Sequence, residues 1–146
     1  MTIEQKHSEI LADFQNLPNW EDRYKKIIQL GRSLPDMPEE LKTDDLKVKG
    51  CQSQVWLHAD LDADGHVVFQ ADSDALIVKG LLALLLKYYS NEPPKEILEA
   101  QPEFVGEIGL QNHLSPSRAN GLHAMIKQIK YYATAFQAIQ ATKSLS

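Results

Sequence analysis

The sequence predicts an α+β protein in which a small antiparallel sheet of about three strands packs against several helices, the last of them long. Three observations carry that expectation. Apolar residues recur at helical spacing at both ends of the chain. Residues 55–70 switch to alternation around a turn signal. Residues 75–89 are then apolar on nearly every face, the pattern of a central helix covered on several sides. At 146 residues, 43% hydrophobic and 24% charged, the chain reads as one globular domain, 1–146, which excludes disordered, collagen-like and low-complexity classes.

The elements follow in order. Thr2 and Gln5 have the spacing of a capping box, and Ile3, His7, Ile10, Leu11 and Phe14 line one helical face until Leu17-Pro18 ends it. Asn19 is a second N-cap, with Glu21 and Asp22 favouring the helix dipole and Trp20, Tyr24, Ile27, Ile28 and Gly31 facing inward. Pro35 and Pro38 mark a loop with a short turn at Glu39–Leu41. Val55, Leu57 and Ala59 alternate with Trp56, His58 and Asp60. Asp62-Ala63-Asp64-Gly65 turns the chain, and His66 to Gln70 returns as a strand, with Leu46 and Val48 offering a third. Asp72-Ser73-Asp74 reads as the cap of a helix from Ala75 to about Tyr89. Asn91-Glu92-Pro93-Pro94 opens a short helix to Glu99, residues 101–113 read as irregular, and Ser115-Pro116 starts a final helix whose inner face runs from Leu122 to Phe136.

Charge and cysteine count narrow the function. The net charge of −5 argues against nucleic acid as a partner. It is unevenly spread: residues 1–107 hold 11 basic and 20 acidic residues, −9, while residues 108–146 carry Arg118, Lys127, Lys130 and Lys143 and no acid, +4. That end is either a solvated basic helix or a docking face for an acidic partner. The longest apolar run, Ala75 to Leu86 with Lys79 inside it, is shorter than the roughly 20 residues of a membrane span. The opening MTIEQKHSEI has no basic segment followed by an apolar run, so no secretory signal is expected, and the expected location is the cytoplasm. One cysteine, Cys51, excludes an internal disulfide, a CxxC pair and a thiolate zinc or iron–sulfur site of the usual kind.

Cys51 is also the first candidate for chemistry. A lone cysteine is most often a small buried hydrophobe. This one follows Gly50 and precedes Gln52-Ser53-Gln54, on a polar loop at the entry to a strand, with Lys47 and Lys49 upstream to favour the thiolate. Gly50 lets that loop turn sharply. A pairing of Cys51 with His113 would allow cysteine-hydrolase chemistry, and that alternative stays open. So does a purely regulatory binding module in which Cys51 is structural. His58 and His66 could face one another across the hairpin, but two imidazoles alone make a poor metal site. Asp60, Asp62, Asp64 and Gly65 have a calcium-loop flavour without the bidentate glutamate, so a solvated turn is the expectation. No Walker loop or GxGxxG is present. Gly121 early in a helix points to a close contact that wants it. Arg118 in a first turn opposes the dipole and implies a specific partner, such as an aspartate of the Asp72–Asp74 cap.

Three blocks resemble the SufE family of sulfur acceptors: Gly50-Cys51-Gln52-Ser53-Gln54-Val55-Trp56, Asp72-Ser73-Asp74-Ala75 with Ile77-Val78-Lys79-Gly80-Leu81, and Leu114-Ser115-Pro116-Ser117-Arg118 with Gly121-Leu122. Trp20-Glu21 and Leu30-Gly31 with Leu34-Pro35 look like the same family's second helix. The resemblance implies the α+β fold shared with IscU and NifU scaffolds, without their extra cysteines. It implies a carrier that takes sulfane sulfur from the persulfide of a PLP-dependent, SufS-type cysteine desulfurase onto Cys51, stimulates that enzyme, and passes the sulfur to SufBCD for iron–sulfur cluster assembly. Such a chain is a sulfur-transfer accessory and no stand-alone enzyme, with no cofactor or metal of its own. Gly50, Gln52, Asp74 and Arg118 are then expected to support the loop and the docking face formed with Ser115–Asn120. The Gln-Ser-Gln after the cysteine favours the Suf branch over the paralogous branch serving a second desulfurase. A homodimer is left open. Because a terminal persulfide is vulnerable to reductants, a carrier is expected to keep Cys51 on a mobile loop, packed against apolar residues when free and exposed when docked.

Overall fold

The computed structural model describes residues 1–145. Helix α1 (Ile3–Gln15) opens with the expected capping box: Thr2 Oγ1 accepts from Gln5 N while Gln5 returns a bond to Thr2 N. Helix α2 (Trp20–Ser33) is capped by Asn19, whose side chain accepts from Asp22 N. After two single 3₁₀ turns at 39–41 and 44–46, strands β1 (Val55–Leu61) and β2 (Val67–Ser73) pair antiparallel, Trp56 opposite Asp72 and His58 opposite Gln70. Helix α3 (Leu76–Tyr89) follows, then α4 (Pro94–Glu99), the one-turn helices α5 (Phe104–Glu107) and α6 (Leu110–His113), and α7 (Pro116–Leu145).

The sheet has two strands, one fewer than expected. The turns at 39–46 use up the chain, so only Lys47 and Val48 are extended before Gly50 reverses direction. The third strand shrinks to a Lys47–Trp56 bridge and a Val48 N to Val55 O hydrogen bond of 2.8 Å. His66 also falls outside β2: the Asp62 carboxylate accepts from both Asp64 N and His66 N, which holds His66 in the turn and opposite no histidine. Residues 101–113, expected to be irregular, wind into α5 and α6, and Gly109 joins them at φ +84°.

Helix α3 is the hub because it is apolar on nearly every face, Lys79 and Lys87 being its charged residues. Ile77, Val78, Leu81, Leu82, Leu84, Leu85, Tyr88 and Tyr89 are all buried in one continuous core with α1, both strands and α7. Its crossing with α2 is glycine on glycine: a methyl on Gly31 would come within 2.6 Å of Gly80 N. Two lysines, Lys6 buried and Lys130 half-buried, tie the periphery to this hub. Lys6 Nζ meets Glu92 at 3.2 Å, pinning α1 to the segment after α3. Lys130 of α7 donates to the carbonyls of Ile97, Leu98 and Ala100, the orphan acceptors at the end of α4. Among the described residues no helix is long and apolar enough to cross a membrane.

Candidate functional site

Cys51 sits where three elements converge. The chain leaves the Val48–Val55 pair, turns at Gly50 with φ +96°, and carries Cys51 toward the start of α7. That φ lies in the left-handed region, open to glycine and costly for other residues, so the sequence Gly-Cys itself sets the turn. The far end of the loop is clamped by Asp74. Its carboxylate accepts from Gln54 N at 3.0 Å, and its own N–H donates to Gln54 O at 3.3 Å.

The Asp72-Ser73-Asp74 triplet therefore does not cap α3. Ala75 is the flanking residue and no side chain caps the helix; Asp72 and Ser73 belong to β2, and Ser73 Oγ accepts from Ala75 N. Asp72 is buried, with Lys42 Nζ at 3.3 Å and Lys79 Nζ at 3.5 Å. Burial alone would raise its pKa, but the Ser73 N–H and the two ammonium groups overcome it and hold the carboxyl below its usual range. Lys42 also lies over the Trp56 ring, 5.7 Å from its centroid. This corner fixes both the approach to the Cys51 loop and the strand that leaves it.

The sulfur is partly buried, and Cys51 Sγ donates to Gly121 O at 3.6 Å. It borders a cavity of about 390 Å³ whose walls are Gln52, Ser53, Val78 and Met125 together with Ser115, Ser117 and Arg118 from the start of α7. Ser115 Oγ accepts from Arg118 N at 3.3 Å and caps that helix as its position in the sequence predicts. The Arg118 guanidinium is exposed at the cavity and forms no hydrogen bond or ion pair among the described residues; no aspartate of the other corner reaches it. Sequence reasoning missed Val78 and Met125 here because apolar residues at helical spacing read as core, and the sulfur's direction is what turns them into cavity wall.

Burial pushes the Cys51 thiol above its ordinary pKa. The lysines upstream do not reverse this; Lys47 is engaged with Asp44 at 3.2 Å. Burial and the upstream lysines push the group in opposite directions, and burial prevails, favouring the thiol in the free chain. His113 is not in the cavity. Its ring lies against Trp20 with centroids 4.4 Å apart, so no Cys–His pair forms. His58 bonds Asp60 at 2.9 Å, and His7 approaches Glu107 at 3.5 Å. No group of three or more His, Cys, Asp or Glu residues with metal-binding proximity occurs among the described residues. A second cleft of about 370 Å³ is lined by the carboxylates Glu4, Glu96, Glu99 and Glu103 with His7, Ser8 and Tyr88, and does not include Cys51.

Fold and site together define a small α+β protein that presents one sheltered thiol from a clamped loop, beside a cation at a helix start that has no ion pair among the described residues. A family model described as SufE, Fe-S metabolism associated domain, matches residues 8–133. An uncharacterised SufE-like protein of Rhizobium meliloti is 48% identical over 126 residues, 84% of this chain and 90% of its own. One from Rhizobium etli is 45% identical over 126 residues, 84% of this chain and 85% of its own. The solution structure of a hypothetical protein from Thermus thermophilus superposes with a TM-score of 0.75 at 26% identity, covering 91% of this chain and 96% of that one. The chain belongs to the SufE family, whose role is sulfur transfer in iron–sulfur metabolism alongside cysteine desulfurases.

Proposed function

We propose that this protein accepts sulfane sulfur on Cys51 from the persulfide of a SufS-type cysteine desulfurase, stimulates that enzyme by emptying its active site, and delivers the sulfur to a SufBCD scaffold in the cytoplasm. The observation that carries this reading is the placement of the chain's single cysteine beside a cavity rimmed by Arg118, which forms no hydrogen bond or ion pair among the described residues. Persulfide transfer needs one nucleophilic sulfur and a path to a partner's sulfur. The Cys51 thiolate attacks the outer sulfur of the donor persulfide. A new S–S bond forms to Cys51 as the donor's S–S bond breaks, and the donor's inner sulfur leaves as thiolate.

The chain's own residues divide the work. The Gly121 carbonyl holds the resting thiol, and burial keeps it protonated and slow toward stray electrophiles. Attack requires loss of that proton, and the Arg118 cation at the cavity favours the anion that results. Gly50 and Asp74 set the loop's path, and Gln52 lines its outer edge, where a partner makes first contact. The test is the intact mass after incubation with a SufS-type desulfurase, PLP and cysteine. Wild type should gain one reductant-labile sulfur and Cys51→Ser none. No gain on wild type, with an active desulfurase and a folded protein, would refute the assignment to that partner.

A further inference from the structure

We propose that Gly121 is the residue that admits the cargo: with no side chain there, the second sulfur of a Cys51 persulfide turns inward and lies between Gly121, Met125 and Val78. This rests on the carrier reading and adds where the sulfur is stored and what makes the room.

Glycine within a helix is less stable than alanine, so its presence in the second turn of α7 needs a cause. The backbone is not the cause, since Gly121 is absent from the residues with positive φ. Helix packing is not the cause either. At Gly31 an added methyl would strike backbone at 2.6 Å, but at Gly121 it would meet only Cys51 Sγ at 3.5 Å and Met125 Cε at 3.9 Å. Both are ordinary contacts, so alanine fits beside the thiol. What alanine would fill is part of the space adjoining Sγ in the 390 Å³ cavity.

That space matters once a second sulfur is attached. It is bonded about 2.05 Å from Sγ. Directed at Gly121 it would stand roughly 1.5 Å from an alanine methyl, far inside any non-bonded approach. An alanine therefore leaves the thiol undisturbed and forces the loaded sulfur outward, toward solvent and reductant. The site distinguishes the charged from the empty carrier by one missing methyl.

The test loads wild type and Gly121→Ala with inorganic polysulfide, whose terminal sulfur is transferred to the Cys51 thiolate as a polysulfide one sulfur shorter leaves. Excess is removed, a thiol reductant is added, and the extra sulfur is followed by intact mass. The unloaded proteins are alkylated with iodoacetamide and melted in parallel. Gly121→Ala should melt at or above wild type and alkylate at the wild-type rate. It should lose its sulfur about fourfold faster, the factor for forfeiting one methylene-sized buried contact. Equal persulfide decay in wild type and Gly121→Ala overturns the inference, as does an equal acceleration of alkylation and decay, which would mean a loosened loop. Because polysulfide replaces the donor protein, a failed transfer from a desulfurase sinks the carrier reading alone.

Discussion

Replacing Asp74 by alanine removes one hydrogen bond from the Cys51 loop and almost nothing else. The bond is the 3.0 Å contact from Gln54 N to the carboxylate. It is exposed, so water takes over the freed N–H, and the net loss is about 1 kcal/mol. The backbone bond from Asp74 N to Gln54 O and the Val48–Val55 pair do not involve the side chain and persist. The loop's opening equilibrium should therefore shift by roughly fivefold, RT ln 5 being about 1 kcal/mol. Cys51 is reached through that opening, so iodoacetamide should alkylate it about fivefold faster in Asp74→Ala at fixed pH. The melting temperature should fall by only a few degrees, because the core under the loop is untouched. Asp74→Asn keeps a carbonyl acceptor and should fall between the two. An alkylation rate equal to wild type would refute the clamp. A faster rate that comes with a large loss of global stability would refute its locality.

Three further outcomes follow from burial and charge. Alkylation of Cys51 should rise with pH along a curve displaced upward from that of a cysteine in an unstructured peptide, since burial raises its pKa. The folded state then holds the proton more tightly, so this group's contribution to stability is full below the unfolded thiol's pKa and is lost as pH rises through the folded one, a slope that Cys51→Ala should remove from denaturant melts at alkaline pH. Asp72 has the opposite sign. Its folded pKa is depressed, so its contribution is present above the unfolded carboxyl's pKa and lost as pH falls through the folded value, and Asp72→Asn should flatten the acid limb of the stability curve below about pH 4. Glu92→Ala leaves the Lys6 ammonium buried without its carboxylate and should cost about 3 kcal/mol in urea unfolding; a loss under 1 kcal/mol would show the ammonium finding water instead.

Most of the fold was legible because its signals are local. Thr2 with Gln5, Asn19 and Ser115 each cap the helix they announce, and the alternation at residues 55–61 became β1. What was not legible depends on distant partners. The aspartates at 72 and 74 have the composition of a cap, yet their acceptors are drawn away by Lys42 and Gln54, which lie far from them in sequence, and by Lys79 on the helix they precede. The third strand failed for want of length once two 3₁₀ turns had formed. At the site, Cys51, Gly50 and Arg118 stood out by type and setting, whereas the walls Val78 and Met125 carry no mark that separates them from core. The protonation of Cys51 ran against the nearby lysines because desolvation acts on the sulfur at contact, while a cation on an exposed side chain acts through solvent.

The two aspartates divide stability from reactivity. Asp72 is buried and paired to two lysines, one before the Cys51 loop and one on α3, so its loss propagates into the core. Asp74 is exposed and touches only the loop's far end, so its loss reaches the sulfur and stops there. A carrier that must open for a partner without unfolding needs these functions in different residues. The arginine completes the separation. Arg118 forms no hydrogen bond or ion pair among the described residues, so it holds no contact that opening would have to break, and in the proposed transfer its charge would be available to the sulfur anion.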